Sequence, residues 1–144
     1  MSITTIRRIL GNRQVHCVSP RATLRDAAKV MATNRIGAVA VIEAGTLVGV
    51  LSERDIVFRG VASDLSAEGT SVADVMTRDP VTVGIEDSIS DALAAKLGDA
   101  FRHLPVLENG SVVGLLSYRD IPPEYAMMFE RFREMSAAHA DDDT

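Results

Sequence analysis

Apolar and polar residues fall into blocks whose order repeats. Residues 15–18 (VHCV) form a short apolar piece with the length and composition of a strand. Thr23 and Asp26 then place a hydroxyl at N-cap and an acid at N3, and they open a segment in which Leu24, Ala27, Ala28 and Met31 share one helical face. The spacing predicts a helix that stops near Asn34. Two apolar runs come next, AVAVI at 38–42 and TLVGVL at 46–51, and Glu43-Ala44-Gly45 between them reads as a hairpin turn. Ser52-Glu53-Arg54-Asp55 leads into a further helix. The same order returns from residue 80. PVTV fills 80–83, Ser88 and Asp91 open a helix with Ile89, Ala92 and Leu93 on one face, and Gly98 is its stop. LPVL and SVVGLL flank Glu108-Asn109-Gly110, and Ser117-Tyr118-Arg119-Asp120 closes the unit.

Overlaid at an offset of 65, residues 15–56 lie on 80–121 without a gap, and 13 of the 42 positions are identical. Units this short cannot each bury a core alone, so the pair is expected to pack as one pseudo-symmetric module. The fold class is α/β (α+β): two β-α-β-β-α repeats packed through their sheets, plus a C-terminal helix. The predicted organisation is a single module over 1–144, with repeat one at 6–60, a polar linker at 61–71, repeat two at 72–122, and a C-terminal helix and tail at 123–144. A short helix at 72–76 opens the second unit, and residues 3–10 are its counterpart.

Composition narrows the function. The 144 residues are 47% hydrophobic and 24% charged, as a globular domain requires. No apolar run approaches the ~20 residues that span a bilayer, and the N-terminus has no signal-peptide h-region. Cys17 is the single cysteine, so no internal disulfide forms and a reducing cytoplasm is the expected compartment. A net charge of −5 and 4% aromatic residues argue against a nucleic-acid surface. Thirteen Arg against two Lys suits phosphate recognition, and codon bias accounts for the ratio equally well. His16, His103 and His139 lack metal-ligand spacing, Cys17 in its apolar strand reads as core, and no nucleophile–base pair suggests catalysis.

GVLSERD at 49–55 and GLLSYRD at 114–120 are the most similar parts of the two units. Helix capping explains Ser52, Asp55, Ser117 and Asp120 without any ligand. It leaves Gly49 and Gly114 unexplained, because glycine weakens a strand unless something approaches the backbone closely. A strand ending at a helix N-terminus favours polar and anionic groups, and a carboxylate there can accept hydrogen bonds from vicinal hydroxyls such as a ribose diol.

GVLSERD and GLLSYRD resemble the G-h-h-[S/T]-x-x-D signature of cystathionine-β-synthase (CBS) domains, and the element order, the paired copies and FRHLPV at 101–106 also match. The resemblance covers about residues 6 to 122 and implies a Bateman module. Such a module binds an adenosine-containing ligand (AMP, ADP, ATP, NAD(H) or S-adenosylmethionine) and regulates rather than catalyses. It implies that Asp55 and Asp120 hold ribose hydroxyls with Ser52 and Ser117 beside them. It lines the first pocket with Met76, Thr77, Val81, Phe101, Arg102 and His103, and the second with Gly11, His16, Ile36, Gly37 and Ala38. Arg102 and His103 match phosphate-contacting positions, so the Asp55 pocket is expected to prefer phosphorylated ligand. The Asp120 pocket then takes the adenosine end only, borrows Arg35, or stays empty. A homodimer and a separate target protein are further implications. No catalytic cofactor or metal is expected.

Pro122 and Pro123 depart from the first repeat: they predict a short helix after the second motif and a new helix from Pro123. Tyr125, Met128, Phe129, Phe132 and Met135 then recur at helical spacing, for packing on the module itself or for a dimer seam. Two other functions stand beside nucleotide binding: a dimerisation module with vestigial sites, and a nucleic-acid-binding module.

Overall fold

Two small sheets, each backed by a helix, are joined by exchanged N-terminal segments. The computed structural model describes residues 4–95, 103–125 and 127. In order the elements are α1 (Ile6–Leu10), β1 (Cys17–Val18), α2 (Leu24–Asn34), β2 (Ala38–Glu43), β3 (Thr46–Ser52), α3 (Glu53–Asp55), β4 (Thr77–Arg78), β5 (Val83–Gly84), α4 (Ile89–Ala95), β6 (His103–Glu108) and β7 (Ser111–Ser117). The first sheet runs β1-β2-β3-β4 and the second β5-β6-β7. In each, a short strand lies parallel to the first arm of an antiparallel hairpin.

The repeat extends to fine detail. Both hairpins turn through two residues of positive φ, Ala44-Gly45 and Asn109-Gly110, the geometry whose twist matches paired strands. Both carry a register shift at the same repeat position, Val41/Ile42 and Val106/Leu107. Thr23 and Asp26 form a complete capping box, and Ser88 Oγ accepts from the Asp91 N–H at 3.1 Å. Leu24, Ala27 and Met31 are buried as the helical face requires, whereas Ala28 is exposed, because the buried stripe of α2 is narrower than the one predicted. Helix α2 ends at Asn34, but the left-handed residue that stops it is Arg35, with φ 54.

The two short leading helices change places. Ile6 and Leu10 of α1 are buried with Val83, Ile89, Leu104, Val106 and Leu116, in the core of the second repeat. Val72, Val75 and Met76 are buried with Leu24, Met31, Val39, Val41 and Leu51, in the core of the first. The backbone follows the same exchange. Ile89 N–H donates to Thr4 and Leu24 N–H to Thr70, both at 3.0 Å; Ile6 N–H donates to Asp87 and Val72 N–H to Ala22. Each core thus includes side chains from the segment that leads into the other unit. Residues 72–78, predicted to open repeat two, finish the core and the sheet of repeat one, since β4 pairs with β3.

The run 72–74 is a 3₁₀ turn, and α3 continues through a π-turn (Ile56–Gly60) and a 3₁₀ turn (Val61–Ser63). After the second motif only one 3₁₀ turn forms (Tyr118–Asp120), and a helical turn restarts at Pro123, as the proline pair predicts. Tyr125 packs on the second core, while Met128, Phe129, Phe132 and Met135 lie outside the described residues. Among the described residues, no helix is long and apolar enough to cross a membrane.

Candidate functional site

Each seven-residue motif is the end of a hairpin arm and the cap of a helical turn. Ser52 Oγ accepts from the Asp55 N–H at 3.1 Å, and Asp55 Oδ2 accepts from the Ser52 N–H at 3.0 Å. In the second copy Asp120 Oδ2 accepts from the Ser117 N–H at 2.9 Å. The expected capping is complete at Ser52 and Asp55, its carboxylate half is present at Asp120, and it consumes one oxygen of each carboxylate. The other oxygen distinguishes the copies. Among the described residues Asp55 Oδ1 meets only the Arg59 guanidinium, 3.8 Å away on the same helical run, while that guanidinium donates to the carbonyls of Val75 and Met76. Asp120 Oδ1 is held by Arg13 Nη1 at 2.5 Å. Both carboxylates are largely shielded, with side-chain exposures of 13% and 14%.

The motif glycines have a packing reason. A Cβ on Gly49 would stand 2.6 Å from Met76 Sδ and 2.8 Å from the Thr77 carbonyl oxygen. A Cβ on Gly114 would stand 2.8 Å from Leu10 Cδ1. The close approach inferred from the sequence is real, and it is made by the exchanged segments: the Met76 side chain and the Thr77 carbonyl at Gly49, and the Leu10 side chain at Gly114.

The remaining candidates spread over the junction of the repeats. Met76 is buried in the first core, Thr77 is exposed on β4, and Val81 packs on the second core. Ile36 packs on the first core, Ala38 is buried on β2 opposite Ser52, and His16 is half-buried, its carbonyl accepting from Ala40. Gly37 and His103, expected in opposite pockets, are neighbours: a Cβ on Gly37 would lie 3.1 Å from Glu53 Oε1 and 3.6 Å from His103 Nε2. The Glu53 N–H donates to the Gly37 carbonyl at 2.9 Å. Residues of the two copies therefore meet beside the first motif. Phe101 and Arg102 lie outside the described residues. Gly11 caps α1, and Arg13, two residues on, is the group that sequence reasoning missed. Its signal was faint, since an arginine in a polar segment has no partner visible along the chain.

Cys17, expected in the core, is exposed on the edge strand β1, because that strand is only two residues long and its outer side is uncovered. Partial desolvation still raises the thiol above its ordinary pKa, which disfavours the thiolate a nucleophile needs. Among the described residues, no three His, Cys, Asp or Glu side chains come together as a metal site would require.

Comparison with known proteins follows the same repeat. The CBS domain family matches at residues 6–61 and 72–121. The chain is 34% identical over 124 residues to the CBS domain-containing protein CBSCBSPB2 of Arabidopsis thaliana, covering 85% of this chain and 23% of that one. With the CBS domain-containing protein YhcV of Bacillus subtilis it shares 33% identity over 108 residues, 75% of this chain and 76% of the relative. It thus spans about a quarter of the length of CBSCBSPB2 and of CBSCBSPB1, a second Arabidopsis relative. Among solved structures, the CBS domain protein PAE2072 of Pyrobaculum aerophilum complexed with AMP superposes with a TM-score of 0.73 at 31% identity, over 89% of this chain and 97% of that one. CBSX2 in complex with AMP gives 0.67 at 26%, over 81% and 92%. With two matched repeats, two motif copies in register and the α+β fold of its structural neighbours, the chain belongs to the CBS domain family.

Proposed function

We propose that the chain is a regulatory module that binds an adenosine-containing ligand at Ser52/Asp55 and Ser117/Asp120 and acts on a separate protein rather than catalysing a reaction. One observation carries this reading. At Asp55 the cap uses Oδ2 and, among the described residues, leaves Oδ1 with only a loose cation at 3.8 Å, so a shielded carboxylate oxygen remains for a ribose diol. AMP in two structural neighbours supports the same ligand class. His103 beside Glu53 supports a first pocket built from both copies, with Arg102 next to it in sequence as the proposed phosphate partner. Pairing of two copies and a cytoplasmic location complete the proposal. A monomer mass by light scattering, with and without nucleotide, would remove the pairing.

The test is calorimetric titration against AMP, ATP, NADH and S-adenosylmethionine, with thermal shifts alongside. A ligand at ~100 times its dissociation constant should add about 2.7 kcal/mol of stability. Asp55→Ala removes charge-assisted hydrogen bonds of about 1.5–3 kcal/mol each and should weaken the tight site by roughly tenfold to a hundredfold or more. Absence of any shift with all four ligands would remove the reading and leave a dimerisation module with vestigial sites.

A further inference from the structure

The second motif differs from the first in having hydrogen bonds to both carboxylate oxygens, where Asp55 Oδ1 has only the 3.8 Å ion pair to Arg59 among the described residues. Asp120 Oδ2 caps Ser117, and Oδ1 takes Arg13 Nη1 at 2.5 Å. The same guanidinium donates through Nη2 to the Ile9 carbonyl at 3.2 Å, which ties it to the end of α1. Sixty-five residues on from Arg13, Arg78 lies on β4 and donates to the Ala73 carbonyl at 2.9 Å. Asp55 therefore has no equivalent bridge among the described residues.

From this asymmetry we infer that Arg13 is the specificity-determining residue of the Asp120 site, which accepts a ribose-bearing ligand only when an anionic group on that ligand draws the guanidinium off Asp120. The inference rests on the nucleotide reading above and deepens it. Ribose hydroxyls and Arg13 are all donors, so they compete for the acceptor capacity of Oδ1. A nucleoside that displaces Arg13 leaves the guanidinium with the Ile9 carbonyl and water. A nucleoside phosphate offers it a second anion, which planar arginine donors bind well. In a nucleoside phosphate the 5′-phosphate lies a few ångströms from the diol, within the swing of an arginine side chain that is half exposed and, apart from Asp120, is held among the described residues by the Ile9 carbonyl. The Asp120 site thus selects phosphorylated ligand. The expectation from sequence was different: this pocket takes the adenosine end only, borrows Arg35, or stays empty.

The experiment isolates the Asp120 site with Asp55→Ala and titrates AMP and adenosine by calorimetry. In that background AMP should bind at least tenfold more tightly than adenosine. Adding Arg13→Ala should raise adenosine affinity severalfold, lower AMP affinity and erase the preference, while Arg13→Lys should keep part of it. An unchanged AMP-to-adenosine ratio after Arg13→Ala, or an equal loss for both ligands, overturns the inference. If Asp55→Ala fails to fold, the same Arg13 variants are read in otherwise wild-type protein as the second step of a two-site isotherm. A ligand-free arm separates this inference from the nucleotide reading: urea midpoints of Arg13→Ala, Asp120→Asn and the double variant should be non-additive. Additivity there overturns the pair even if nucleotide binds. Coupling with no binding of any adenosine ligand to wild type overturns the nucleotide reading and makes the pair purely structural.

Discussion

Replacing the motif glycines with alanine should affect the two repeats unequally, and the structure says by how much. At Gly49 the new methyl meets two obstacles, Met76 Sδ at 2.6 Å and the Thr77 carbonyl oxygen at 2.8 Å. The sulfur belongs to a flexible side chain that can turn away. The carbonyl does not have that freedom, because Thr77 is paired to Val50 in the β3–β4 ladder. At Gly114 all three nearest atoms, starting with Leu10 Cδ1 at 2.8 Å, belong to the branched end of one side chain, and no backbone atom is among them. Overpacking costs about 1–3 kcal/mol. Alanine recovers roughly 0.5–1 kcal/mol relative to glycine in a strand. Gly49→Ala should then lose about 1–2 kcal/mol net, and Gly114→Ala should be near neutral. For a chain of this size that is a fall in Tm of roughly 3–6 °C against nearly none. Differential scanning calorimetry of both variants without ligand checks it. Equal melting temperatures would refute the packing account. A fully stable Gly49→Ala that lost nucleotide would return the glycine to the ligand.

Leu10→Ala empties a site in the second core and should cost about 2–5 kcal/mol by urea denaturation; combined with Gly114→Ala the loss should be less than the sum, because the deleted side chain is the one the methyl would strike. Cys17, exposed but with its thiol raised by desolvation, should alkylate more slowly than a small thiol near neutral pH, and its rate should rise to half-maximum at a higher pH than that thiol's. Gly11→Ala forces a side chain onto φ 56, ψ −128 and should cost roughly 1–3 kcal/mol, read by the same urea titration, with the Arg13–Asp120 coupling weakened.

The elements most legible in the sequence were those with local chemistry. Thr23 with Asp26 and Ser52 with Asp55 are contained in four residues each, and the two glycine-ended hairpin turns in two. The fold was readable because the repeat supplies every such signal twice. The exchange of α1 and residues 72–78 between cores was not, because an apolar face such as Ile6 and Leu10 names no partner, and each core accepts either segment by chemistry alone. The candidate site was legible at its caps and blurred around them. Gly37 and His103 were assigned to opposite pockets, yet they meet, since the junction between pseudo-symmetric halves brings together residues that no single copy relates.

The inequality of the two carboxylates traces to one inserted residue. From residue 15 onward the copies match at an offset of 65, but the leading helices match at 66: Ile6 answers Val72, and Leu10 answers Met76, each packing on the other unit's motif glycine. Between that apolar anchor and the point where the 65-residue match begins, at Val15 and Pro80, the first copy has Gly11-Asn12-Arg13-Gln14, and the second has only Thr77-Arg78-Asp79. In the second copy Thr77 and Arg78 lie extended along β3 and complete a fourth strand before the chain turns at Asp79, with φ 47. Four residues leave slack, and the chain takes it up in a tight turn in which the Arg13 N–H donates to the Leu10 carbonyl at 3.1 Å. Gly11 occupies the first central position with φ 56 and ψ −128, the type II′ geometry that glycine adopts without strain. The turn replaces the strand, the second sheet stays three-stranded, and Arg13 reaches Asp120 instead of lying along a ladder. A single extra residue beside a glycine is thus enough to give the matching aspartates of two similar motifs different partners, Arg59 for Asp55 and Arg13 for Asp120.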